Sequence, residues 1–409
     1  MLPFAILAPL ALAACGDRPA ESGPSGAQEP ASTGLADAPL SEERRLLLEQ
    51  AFTGTLGMPA VPHLKNRSRF QEELLTGALE LGQLAFVADR VEQVGNWRQG
   101  VVAGELSLAC LEAGHEEESL RFLTMAQALA ADPGDETEQS WRRDRILNRI
   151  ARVKRAMGEV DEAEGIAAAL VGSERDAEGE VAKVSDEDFD AYLLQVEEVI
   201  RNGDFDAVQA GVRGVLVLHE RFYTDEDRRR RCEEAIASTA KRVPLQVHAE
   251  AKIDLGLTAV DHGDREHALG FAAEAKALLD GKPLDLRQDL PLRSRIATLR
   301  WKAGEEESAV RSLDALVEVF LDKNHLIADV FCADALRPVA EAYAGMGQAA
   351  AAESTYLLVL EQGLRNINSR PRLEDTLHTA LSLAKGGHEA SEQLLGAVGE
   401  AFAGLGDPW

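Results

Sequence analysis

Cys15 is the residue best placed for covalent chemistry in this 409-residue chain. Its thiol follows Leu12, Ala13 and Ala14 at the end of an uncharged stretch, residues 2–14, made mostly of Leu, Ala, Ile and Phe. Such a stretch suits the apolar part of a secretion signal and is too short to cross a bilayer as a helix. Lys and Arg are absent ahead of it, so only the terminal amine is positive there. Small side chains at Ala13 and Ala14 let a peptidase approach the Cys15 backbone.

Other residue types capable of chemistry are present without the spacing that chemistry needs. The nine histidines form no H-E-x-x-H and no H-x-H. The densest group, Asp261-His262-Gly263-Asp264-Arg265-Glu266-His267, falls where one helix ends and another begins, a place where acids serve helix termini. Asp132-Pro133-Gly134-Asp135-Glu136 lacks the spaced ligands and distal glutamate of a calcium loop. Cys110, Cys232 and Cys332 are odd in number and far apart, with no C-x-x-C among them, and read as small buried hydrophobes. No P-loop, G-x-S-x-G or G-x-G-x-x-G occurs. Neither catalytic residue, metal nor cofactor is expected, and the chain reads as a non-enzyme. Arg228–Arg231 is the sole basic run, flanked by Asp225-Glu226-Asp227 and Glu233-Glu234. Intrahelical pairing accounts for it, and docking of an acidic partner at Arg229 and Arg230 is the sharper alternative.

These residues need elements to hold them. Residues 16–40 are rich in Gly, Pro, Ser, Ala and acids and read as a flexible tether, with an end-to-end distance of roughly 25–30 Å. From about residue 41, alanine, leucine, glutamate and arginine recur at helical spacing and strand signals are scarce. Gly114, Gly158, Gly203, Gly263, Gly304, Gly347 and Gly386 punctuate this pattern at intervals of 39 to 60 residues. Around each glycine three further positions stay uncharged. Seven before it stand residues such as Ser107, Ala151 and Ala297; five after it Ser119, Ala163 and Ala309; twelve after it Ala126, Leu170 and Leu316. Small residues let two antiparallel helices approach closely, and apolar ones pack the next pair.

Two resemblances follow from these residues. Leu12-Ala13-Ala14-Cys15 with its leader and polar tail resembles the signals of bacterial lipoproteins. That resemblance implies cleavage before Cys15, a diacylglycerol on its thiol and no other cofactor. Gly16 rather than an acid after the cysteine implies the outer membrane, facing the periplasm. The glycine and small-residue positions of residues 97–404 resemble the tetratricopeptide repeat in a degenerate form, with a period nearer 41–45 than 34. HEAT-like pairing is the alternative. The expected fold is therefore all-α: an α-solenoid of antiparallel helix pairs. Its parts are a signal peptide (1–14), a lipidated cysteine and linker (15–40), N-terminal capping helices (41–96), a first sub-array (97–222), and an extra helix near Asp225–Arg242 with a second sub-array (223–409).

Charge narrows the partners. The formal net charge is -27, with -24 on residues 41–409, which repels nucleic acid and anionic headgroups. Aromatic residues make up 5% of the chain, few for stacking platforms on sugars. Trp97, Trp141 and Trp301 read as core, and Trp409 as a cap on the last helix. An anchored solenoid with a free concave face is expected to be a protein–protein scaffold or adaptor in the cell envelope, its oligomeric state open. A glycan or small-ligand receptor is the alternative, marked by exposed Trp and Tyr. An envelope-polymer hydrolase is third, marked by converging carboxylates in a cleft.

Overall fold

A computed structural model describes residues 34–131, 140–170, 184–203, 205–282, 284–386 and 389–409. The leader, Cys15 and the acidic string at 132–136 lie outside them. The described residues hold 18 α-helices and no strand. In chain order these are α1 (Glu42–Gly57), α2 (Ala60–Glu80), α3 (Leu84–Ala88), α4 (Arg98–Glu112), α5 (Glu116–Ala131) and α6 (Ser140–Ala156). Next come α7 (Val160–Ala169), α8 (Phe189–Asn202), α9 (Phe205–Arg221), α10 (Glu226–Ser238), α11 (Leu245–Asp261) and α12 (Arg265–Gly281). The last six are α13 (Leu286–Lys302), α14 (Glu306–Lys323), α15 (Asp329–Gly345), α16 (Ala349–Gly363), α17 (Ser369–Lys385) and α18 (Glu392–Ala403). The expected solenoid of helix pairs is what forms.

The turn chemistry is local. Gly114, Gly158, Gly263, Gly304 and Gly347 take positive φ, where a side chain would strain the backbone. Acids then open the next helix, as in Glu116–Glu118 of α5 and Glu306–Glu307 of α14, where the dipole favours them. The uncharged positions seven before and five after each glycine face one another across the pair. Ser107 Oγ donates to the Ser119 carbonyl at 2.8 Å. Ala297 and Ala309, and Ala340 and Ala352, are buried at the equivalent places.

Gly203 and Gly386 depart from this pattern, with φ of -69° and -61°. The departure at Gly203 marks a change of register. Tyr223, just beyond α9, stacks on His262 beyond α11, so α9 runs in the same direction as α11. It packs against α8 on one side and α10 on the other, and the extra helix expected near 225–242 is α10.

Packing also joins the first helices to the last. First-layer helices pack successively in the order α9, α11, α13, α15, α17, α2, α4, α6, while α1 lies against α17, α18 and α2. A single apolar core therefore contains Leu47 and Phe52 of α1, Phe70 and Leu74 of α2, Leu373 and Leu377 of α17, and Leu394 and Val398 of α18. Helices α1 and α2, read as a cap, are themselves covered by the last two helices. Residues 35–40, read as the end of the tether, belong to this body. Leu35 is buried, Asp37 accepts from the Phe86 amide at 3.0 Å and Ala38 N–H donates to the Gly82 carbonyl at 3.0 Å.

One buried group in this core is unsatisfied. Gln71 of α2 is fully buried, and neither its amide nitrogen nor its oxygen has a hydrogen-bond partner. A stranded polar group costs about 1–3 kcal/mol. Gln71→Met is therefore expected to raise the urea midpoint of unfolding, with a gain of about 1–2 kcal/mol. A lower midpoint would overturn the assignment.

Candidate functional site

Two of the segments singled out in the sequence, Arg228–Arg231 and Asp261–His267, meet at one place. α10 carries the arginines past the start of α12, and Tyr223 lies beneath them. The Tyr223 ring stacks on His262 at 4.3 Å, meets His219 edge-on at 5.3 Å and lies 5.0 Å below the Arg229 guanidinium. Its hydroxyl donates to Asp264 at 3.0 Å. Burial, with Asp264 alongside, pushes the phenol up to about 12. Asp264 caps α12 by accepting from the His267 amide at 3.1 Å. Burial opposes ionisation of Asp264, but that amide and the Tyr223 hydroxyl outweigh it and hold its carboxyl below the ordinary range.

Glu233 is the hub. Its Oε1 lies 3.4 Å from His219 Nε2, 3.5 Å from His267 Nε2 and 3.6 Å from Arg229 Nε. Burial again opposes ionisation, and the hydrogen bond from His219 with the charge of His267 lowers the carboxyl regardless. Beside this network opens a recess of 640 Å³ lined by Arg230, Glu233, Lys252, His267, Phe271 and Glu274, among others. It contains no serine, threonine or cysteine, and no group of His, Cys, Asp or Glu among the described residues has metal-binding geometry. The arrangement suits ionic contact with a polar surface.

The four arginines point separately. Arg228 reaches Asp225 and Asp186, Arg229 reaches Glu233 and Asp264, Arg230 reaches Asp227 and Glu234, and Arg231 reaches Asp190. Pairing is thus partly within α10 and partly to neighbouring elements. Arg230 is the most exposed, at 55% of its side chain.

A second opening lies between α12, α13 and α14. This groove of 510 Å³ has Leu279, Leu284, Ile296, Leu316 and Val319 in its walls and Lys276, Arg293, Arg300 and Lys323 around its rim. Arg293 is held by Asp289 and Asp280, and Arg300 by Glu305. Lys323 makes no ion pair among the described residues. An apolar trough with an ionic rim accommodates an apolar anchor side chain of a partner.

A third cluster sits where the chain ends join, and sequence spacing gave no sign of it. His378 of α17 meets Glu73 of α2 at 3.1 Å and Asp334 of α15 at 3.9 Å. Burial works against its charge, yet the two carboxylates raise the imidazole to about 9. Arg337 contacts Asp334 at 2.7 Å and Asp375 at 3.8 Å. Burial favours the neutral form of Asp334, but His378 and Arg337 prevail and draw it down to about 2. Asp375, 5% exposed, is pushed up to about 7 by burial and then by Asp334. Two carboxylates with separated affinities for a proton thus share one guanidinium, but Asp375 is packed against Gly363, where a Cβ would come within 2.8 Å of its own.

The remaining sequence candidates are placed as follows. Trp97 is buried as expected, whereas Trp141, read as core, is exposed at 44% and meets it edge-on at 5.3 Å. Tyr343 and Tyr356 are buried, with phenols raised by burial. Trp301 and Trp409 are half-buried against the core. The backbone before Trp409 bonds to α17, Ser369 N–H donating to the Pro408 carbonyl at 2.8 Å. Cys110 and Cys232 are buried, and burial pushes their thiols up to about 11 and about 12.

No family model matches the chain, and no curated protein matches it. Among solved structures it is similar to a circular tandem repeat protein with novel repeat topology and enhanced subunit contact surfaces, at 17% identity and a TM-score of 0.25, over 88% of this chain and 94% of that chain. The helix packing, and not this likeness, defines the class: a helical repeat protein.

Proposed function

We propose that the chain is a bacterial envelope lipoprotein, held by a lipid on Cys15, whose tetratricopeptide-like array is a non-enzymatic scaffold for protein partners. The observation that carries the scaffold reading is the groove between α12 and α14, an apolar trough with ionic sides on a repeat surface. The recess beside α10 adds a second, ionic contact surface containing Arg230, one of the two arginines proposed to dock a partner. Burial of Trp97, Tyr223, Tyr343 and Tyr356 supports the scaffold over a glycan receptor, since Trp141 is the one tryptophan among the described residues that stands exposed. Burial of Asp375 keeps the carboxyl raised furthest among the described residues away from a polymer substrate.

Crosslinking in membranes followed by purification tests both halves of this reading. Cys15→Ala is expected to move the protein to the soluble fraction, and Ala315→Arg, at an exposed wall of the groove, to abolish recovery of the partner while leaving the protein in the membrane. A Cys15→Ala protein that stays membrane-bound would remove the anchor. Partner recovery undiminished by Ala315→Arg would remove the groove.

A further inference from the structure

The net charge conceals an ordered separation. Four second-layer helices that follow a glycine turn, α5, α7, α12 and α14, begin with acids on one edge of the array, as at Glu116–Glu118 and Glu305–Glu307, whereas α16 opens with Gln348 and alanines. The opposite edge carries the connections between pairs, and its character is different. The three most exposed large apolar side chains among the described residues all lie there: Val61 at 86%, Ile367 at 80% and Leu326 at 67%. Val61 stands at the start of α2, Leu326 in the α14–α15 connection and Ile367 in the α16–α17 connection.

These connections are neighbours in space. Asn366 Nδ2 donates to Asp329 Oδ2 at 3.0 Å, linking the second to the third. A Cβ on Gly54 near the end of α1 would lie 3.4 Å from Leu373 near the start of α17, which brings the first connection alongside. Unpaired cations accompany the apolar tips. Lys65, Lys323 and Arg370 are exposed and make no ion pair among the described residues. Acids near them in the chain include Asp322, Asp329, Glu374 and Asp407, of which Glu374 is paired with Arg69. Asp329 is engaged by Asn366 and by the Val330 amide.

We infer that this edge rests on an anionic lipid bilayer, the three apolar tips entering the headgroup region and the cations facing lipid phosphates, with the acidic edge turned away. Single apolar side chains raised on turns between cations match a charged interface with an apolar layer beneath it. A protein groove would instead require a continuous apolar face. The contact is independent of the reading of Cys15, and it sets the orientation of the body rather than its address.

The test is sedimentation of the full chain with vesicles of phosphatidylglycerol and phosphatidylcholine, against vesicles of phosphatidylcholine alone. All arms carry Cys15→Ala and the same leader, so binding through the leader is common to every arm and shows on phosphatidylcholine. The parent is expected to bind the anionic vesicles more tightly, and less so at high salt. Lys65→Gln, Lys323→Gln and Arg370→Gln together are expected to lower that extra binding about a hundredfold, since each cation near such a surface is worth about fivefold. Val61→Asp, Leu326→Asp and Ile367→Asp together are expected to lower it at least ~10-fold. Leu194→Asp, on α8 at 61% exposure, is expected to leave it unchanged. Equal binding of the parent to both vesicle types, undiminished binding of either triple variant, or an equal loss with Leu194→Asp would overturn the inference.

Discussion

Leu373→Ala is expected to cost about 2–5 kcal/mol of unfolding free energy and to loosen both ends of the chain at once. Leu373 is fully buried in α17 and sits 3.4 Å from the position a Cβ of Gly54 would occupy, with the Phe402 ring at 2.5 Å from the same point. Three helices, α1, α17 and α18, meet there with no spare volume. Removing the isobutyl group leaves a cavity that none of the three can fill without losing its contact with the other two. Denaturant unfolding gives the magnitude, and hydrogen exchange gives the location. Protection should fall together in α1, α2, α17 and α18; loss confined to α17 and α18 would mean that the ends do not form one cooperative unit.

The second large effect is expected at His378. The imidazolium lies between Glu73 and Asp334 and is raised to about 9. A histidine raised above its unfolded value stabilises the fold fully below about pH 6.5, and that contribution disappears as pH rises through about 9. Asp375, raised to about 7, favours folding when protonated, so its contribution fades between about pH 4 and 7. Asp334, lowered to about 2, contributes above about pH 4 and is lost only in strong acid. The protein should therefore weaken steadily from about pH 6 to 9.

His378→Gln is expected to cost about 2–3 kcal/mol near pH 6, because it strips Glu73 and Asp334 of a shared cation. The deficit should shrink above about pH 9, where the native histidine is itself neutral. Urea midpoints at the two pH values are the measurement. A deficit independent of pH would mean that His378 contributes by packing alone.

The repeat was legible because its signals are short-range. Glycine turns with acids after them, and small residues seven before and five after, report on one helix hairpin at a time. Ser107 against Ser119 and Ala297 against Ala309 are buried where that spacing put them. The same spacing does not distinguish which way a hairpin faces the array. Val196 and Val208 around Gly203 are buried like their counterparts, yet the hairpin they form is inverted, and only the Tyr223–His262 stack discloses it. Contacts such as Arg69–Glu374 at 2.8 Å and Lys385–Glu80 at 2.5 Å join residues about three hundred positions apart. No local pattern encodes them, and the polar clusters built on them were invisible for the same reason.

The α10 site was half legible. Both of its segments stood out in composition, but each alone had an adequate account in helix capping or intrahelical pairing. What joins them is Tyr223, an aromatic residue in a turn with no motif around it. Its hydroxyl reaches Asp264 across 41 residues of sequence.

The meeting of α1 with α17 and α18 also imposes a schedule on biogenesis. The apolar face of α1 is made first, and the helices that cover it are made last. At ordinary synthesis rates of about 5–20 residues per second, the interval between Phe52 and Leu373 is roughly 15–65 s. For that time the apolar faces of α1 and α2 have only the cover that α2, α3 and α4 supply, and the part later buried by α17 and α18 stays open to solvent. A repeat array whose first and last units were independent would have no such waiting period.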